Sequence, residues 1–244
     1  MNSMRRPYTI CHMLSSIDGK IDGTYYSCPE MKPVRAASNE IRMSYEATGV
    51  LYGATTMAEV YGAGYISELP HTTEIYKRSD HIVDRSVNNF YIAVDTKGTI
   101  AWESNYTEKK GRPKAHLVTI LTEDVSDDYI SYLRSVGISY IFAGRTDLDC
   151  QLAMEKLKSI LGIEKLLICG GGLVNYTFLY AGLIDEVSLV IAPLTDGGYD
   201  VASVFDQMKD KECIPFAFSL LEAKVIDGDG VLLRYKPVPR SLDV

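Results

Sequence analysis

The chain has 244 residues, enough to bury the core of one α/β domain. With 46% hydrophobic and 23% charged residues it has the profile of a globular protein rather than a disordered one. A net charge of −7 opposes binding to nucleic acid and to anionic membrane, which select basic surfaces, and leaves room for a local positive pocket that takes a phosphorylated ligand.

Two arginines precede a short apolar run at the start, but His12 interrupts the run and Ser15, Ser16 and Asp18 follow it. The run is too short for a signal peptide or a membrane span and reads as a first strand over residues 8–14. Turns are expected at Asp18-Gly19 and Asp22-Gly23. Residues 25–38, with Pro29 and Pro33 and little periodicity, read as a loop that flanks a binding site. A helix is expected to open at Ser38-Asn39-Glu40 and run to about Ala47, with Ile41, Tyr45 and Thr48 on one face.

A buried strand follows over residues 49–52, and then Gly53 leads into a helix start at Thr55-Thr56. Further strands are expected over residues 90–94, 116–121, 138–142 and 166–169. Between them, Tyr129, Ile130 and Leu133 mark a helix over 126–135, and Ala153, Leu157, Ile160 and Leu161 mark another after the candidate cap Asp149. From Glu186 onward three strands are expected, over 187–192, 217–226 and 231–235, the last two joined by the hairpin turn Asp227-Gly228-Asp229-Gly230. The pattern gives an α/β fold in one domain over residues 1–244: a mixed, mostly parallel central sheet, helices on both faces and an antiparallel C-terminal hairpin.

The five cysteines are odd in number and form no CxxC pair, so they read as reduced thiols of a cytosolic protein. The histidines lack metal-ligand spacing, no H-x-E with a later P-C-x-x-C occurs, and no metal is expected.

The strongest local signal is the apolar strand Leu166-Leu167-Ile168 running through Cys169 into Gly170-Gly171-Gly172 and then into a helix at Leu173-Val174-Asn175. Glycines let the backbone approach a diphosphate, and the helix N-terminus presents amides and a favourable dipole. A turn that needs positive φ is the plainer alternative. The spacing fits neither G-x-G-x-x-G nor GxxxxGK[ST]. Gly53-Ala54-Thr55-Thr56 is a second junction that suits a phosphate, with a helix capped by Thr55 or Thr56 as the alternative.

The segments RPYTICHMLSSIDGKIDG, GVLYGATTM, YIAVD and CGGGLVNYTFLYAGLIDEVSLVIAPLTDGG together resemble the C-terminal reductase domain of riboflavin-biosynthesis deaminase-reductases, the RibD C-terminal family, within the wider dihydrofolate-reductase-like superfamily. The resemblance implies a homodimeric, cytoplasmic NADPH-dependent reductase that passes hydride to a pyrimidine-, ribosylamino- or pterin-like small molecule. It assigns the cofactor to Gly53, Thr55, Thr56, Gly170, Gly171, Gly172 and Leu173, with Thr119 at the end of its strand and with Asn175 steadying the glycine loop. It places Ser16, Asp18 and Lys20 beside the substrate, Asp18 and Lys20 being candidates for the catalytic proton along with an ordered water; a simple Asp-Gly turn also explains Asp18. Val60 and Cys169 stand where the family carries pocket carboxylates. A dihydrofolate reductase and a non-catalytic nucleotide-binding protein are the competing readings.

Overall fold

The computed structural model describes residues 5–207 and 212–239. In chain order they form β1 (Tyr8–Ser15), α1 (Met31–Ser44), β2 (Gly49–Gly53), a short α2 (Ala54–Thr56) continued by a π turn over Met57–Tyr61, β3 (Phe90–Val94), β4 (Tyr106–Thr107), β5 (Ala115–Leu121), α3 (Asp127–Val136), β6 (Ser139–Phe142), α4 (Cys150–Leu161), β7 (Lys165–Ile168), α5 (Gly172–Tyr180), β8 (Glu186–Ile191), β9 (Phe218–Ile226) and β10 (Gly230–Pro237). Two compact units emerge, one centred on Thr48–Leu166 and the other built from Tyr8–Ala47 with the described part of Leu167–Val244.

In the first unit β2, β3, β5 and β6 run parallel, and the two-residue β4, which has no sequence signature, pairs antiparallel with the start of β5. Every residue of β2 and β5 is buried, the pattern of parallel strands covered on both faces. The helices start where expected. Ser126 accepts the amide of Tyr129 and caps α3, Asp149 accepts that of Leu152 and caps α4, and both helices end on a left-handed glycine, Gly137 or Gly162. The irregular stretch between α2 and β3 covers the outer side of β6: His81 and Tyr140 exchange backbone hydrogen bonds of 2.9 Å, and Asp80 accepts the amide of Phe142. That edge is closed to further pairing.

The second unit pairs β1 parallel with β8, then β8 antiparallel with β10 and β10 antiparallel with β9. The hairpin between β9 and β10 turns on Gly228 and Asp229, both at positive φ, as the Asp-Gly repeat anticipates. Met31 and Val34 of α1 pack with Tyr25, Val190, Ala192 and Leu232 into this unit's core.

α1 corrects the sequence reading, because it begins at Met31 rather than Ser38 and buries Met31, Val34, Ser38 and Arg42. Pro33 sits in its first turn, where no intrahelical partner is needed for the missing N–H, so it starts the helix instead of breaking it. Among the described residues no helix is long and apolar enough to cross a membrane.

Candidate active site

β7 delivers the chain into the glycine bend of the second unit, and each of the three glycines meets a different demand. Gly170 has φ +97°, a conformation that side chains resist. The peptide that follows it is cis. Gly172 opens α5 against the loop behind it, where a Cβ would stand 2.3 Å from Asp206 Oδ2 and 2.4 Å from the Ser203 carbonyl oxygen. Gly171 has ordinary dihedrals, and a Cβ there would meet nothing within 4 Å. As the N-cap of α5 it brings no side chain to the first-turn amides. The bend is therefore closed on the Gly172 side and open at Gly171, where helix amides remain for an anion.

Leu173, the next residue, is 49% exposed and presents an apolar surface beside the opening. Asn175 is fully buried; its Nδ2 donates to the Val204 carbonyl at 2.7 Å, and its backbone amide donates to Gly171 at 3.0 Å. It ties the loop to α5 and, being buried, presents no side-chain surface here.

Ser16, Asp18 and Lys20 form one hydrogen-bonded turn. The Ser16 hydroxyl donates to Asp18 Oδ1 at 2.5 Å and accepts the Lys20 amide at 2.9 Å. Ser16 is only 1% exposed, so it organises the turn rather than facing a substrate. The Asp18 carboxylate also accepts the backbone amides of Gly197 at 2.9 Å and Asp196 at 3.2 Å. The Ser16 hydroxyl, followed by the Gly197 amide, holds its pKa down to about 2. Such a group stays ionised at neutral pH, and here it anchors a loop. Asp196 reciprocates by accepting the amides of Thr24 at 2.8 Å and Gly198 at 3.0 Å. The half-buried Lys20 directs its ammonium to the Val201 carbonyl at 3.1 Å.

In the first unit Gly53 caps α2 through its backbone alone, so the alternative of a threonine N-cap is corrected. Thr55 is exposed and Thr56 half-buried, and neither hydroxyl makes a hydrogen bond among the described residues. One helical turn carries little macrodipole, so this junction offers an anion amides and hydroxyls rather than a long-range field. Thr119 lies in the middle of β5, paired with Ala93 and Tyr140, and is fully buried. It therefore lies inside the strand rather than at its end, where the sequence placed it. Val60 is 48% exposed, while Tyr61 packs on Tyr91 at 5.0 Å and accepts a hydrogen bond from Arg112.

Sequence reasoning missed Asp196, Ser203 and Asp206. Asp196-Gly197-Gly198 is a strong turn signature that goes unused without a partner in view. Nothing local marks Asp206, whose role arises only where its loop meets Gly172.

A family model for the RibD C-terminal domain matches residues 7–232. The 2,5-diamino-6-ribosylamino-4(3H)-pyrimidinone 5′-phosphate reductase of Methanothermobacter thermautotrophicus is 25% identical over 201 residues, covering 82% of this chain and 84% of its own. Among solved structures, a pyrimidine reductase-like protein from Corynebacterium diphtheriae superposes with TM-score 0.69 at 17% identity, over 98% of this chain and 94% of that one. The riboflavin biosynthesis reductase Rib7 of Saccharomyces cerevisiae gives TM-score 0.57 at 14% identity, over 98% and 93%. At such identities these structures establish the fold, a mixed α/β arrangement with antiparallel C-terminal strands.

Proposed function

This chain belongs to the RibD C-terminal domain family, and from that premise we propose that it is an oxidoreductase which reduces 2,5-diamino-6-ribosylamino-4(3H)-pyrimidinone 5′-phosphate, or a close ribosylaminopyrimidine relative, with NADPH. The observation that carries this reading is Gly171, an uncapped helix start with open space where a side chain would stand. A diphosphate fits there for two reasons: the α5 first-turn amides have no capping side chain, and the neighbouring Gly172 already fixes the bend from behind. When bound, NADPH supplies the hydride, and the protein's part is to align donor and acceptor.

Gly170 and Gly172 shape the bend, while Gly171 and Leu173 face the cofactor. Gly53, Thr55 and Thr56 remain proposed phosphate contacts on the first unit's own evidence, a turn whose two threonine hydroxyls make no hydrogen bond among the described residues. Lys20 exchanges the Val201 carbonyl for the substrate's phosphate, with Asp18 holding the turn that presents it. The proton reaches the product from Lys20 or from water. With Val60 and Cys169 in place of carboxylates, the heterocycle is recognised by other groups.

The family match runs through both units, which supports treating the chain as one functional domain. We also place the protein in the cytoplasm as a homodimer joined through β9, where Leu220, Leu221 and Val225 are 56%, 52% and 73% exposed.

Purified protein should shift NADPH fluorescence and oxidise NADPH when the pyrimidinone phosphate is added, and Gly171→Asp should abolish both. Tight NADPH binding without oxidation of any pyrimidine or pterin would favour a nucleotide-binding protein, and absence of NADPH binding would end the oxidoreductase reading.

A further inference from the structure

The loop that follows β8 joins the Lys20 turn to the glycine bend. At one end the Ile21 amide donates to the Ala202 carbonyl at 2.9 Å, and Lys20 and Ser203 form an antiparallel bridge. At the other end Asp206 donates its amide to the Gly172 carbonyl at 3.1 Å, with its carboxylate against the Gly172 Cα. The same carboxylate accepts both the amide and the hydroxyl of Ser203, at 3.0 and 2.5 Å. Asn175 closes the arrangement by donating to Val204 between them. One residue thus ties the position paired with Lys20 to the one that opens α5: its carboxylate holds Ser203, and its backbone amide holds Gly172.

We propose that Asp206 is a positioning residue for both ligands: through Ser203 it fixes the main chain that presents Lys20 to the substrate phosphate, and through Gly172 it fixes the amides that receive the cofactor. The proposal rests on the functional reading above. A carboxylate that only stabilised a surface turn would touch one of these segments. Asp206 touches both, and a Cβ on Gly172 would strike it, so the bend and the carboxylate are mutually fitted.

The test compares Asp206→Ala, Asp206→Asn and Lys20→Ala, singly and combined, in steady-state assays with NADPH and the pyrimidinone phosphate. Asp206→Ala should raise both the NADPH Kd and the substrate KM by about tenfold while kcat changes far less, the mark of lost uniform binding. Asn keeps the shape and one acceptor, so Asp206→Asn should recover most of both. With Lys20→Ala present, Asp206→Ala should add little to KM yet still weaken NADPH, because its substrate effect passes through Lys20. KM effects that multiply in the double variant would overturn the proposal, as would a lowered Tm with both constants unchanged. Should the alanine variant not fold, Ser203→Ala, which removes only the hydroxyl arm, should raise KM and leave NADPH affinity intact; an unchanged KM would count against the proposal. Failure of the wild type to bind NADPH or reduce any pyrimidine would instead refute the functional reading, and would be visible before any variant is made.

Discussion

At the residue scale the glycine bend separates two roles that the sequence presents as identical. Three successive glycines are legible as a place for close backbone approach, but which of them serves the fold and which the ligand depends on what lies behind each. Gly172→Ala should cost about 1–3 kcal/mol, because the new methyl meets a backbone oxygen that cannot swing aside. Gly171→Ala should leave Tm nearly unchanged yet weaken NADPH, since its methyl points into open space. Thermal melts and fluorescence titration of the two variants would check this, and a Gly171→Ala protein with wild-type affinity would contradict it. Asp18 yields a second test. Its folded pKa of about 2 lies below the ordinary 3.8, so its stabilising contribution is complete above that ordinary value and is lost as pH falls toward 2. The wild type should therefore lose more Tm across that interval than Asp18→Asn does; parallel losses would show that the carboxylate does not anchor the loop. From sequence Asp18 reads equally well as a turn residue or a catalytic one, and its hydrogen bonds to a loop almost 180 residues away become visible only on folding.

At the element scale, strands and capped helices were legible wherever local chemistry fixes them. Ser126 and Asp149 announce α3 and α4, and Asp227-Gly228 announces the final hairpin, because each signal acts within a few residues. α1 was half hidden, since a proline reads as a break unless it is known to occupy the first turn. The stretch covering β6 was illegible because its value lies in remote pairings: His81 with Tyr140, and Arg78 with Asp127 in the first turn of α3. In the second unit β9 carries exposed apolar side chains without a comparable cover among the described residues. On the proposed homodimer, Val225→Lys, a charge placed on the most exposed apolar position of β9, should shift the protein from dimer to monomer in sedimentation while the far-UV spectrum is kept. An unchanged mass would move the dimer contact elsewhere.

At the scale of the whole molecule, the acidic charge and ordinary composition excluded polyanion partners but said nothing of substrate. The family was legible in ordered blocks spread along the chain, and the match over residues 7–232 agrees with that reading. The substrate side was less so, because the turn at Asp18 and the loop at Asp196 meet only on folding. The position of the nicotinamide cofactor is the decisive feature of this molecule. A crystal structure of the protein with NADPH should place diphosphate oxygens within hydrogen-bonding distance of the α5 first-turn amides, over the open face of Gly171. Well-ordered NADPH bound elsewhere, with that face bare, would contradict it.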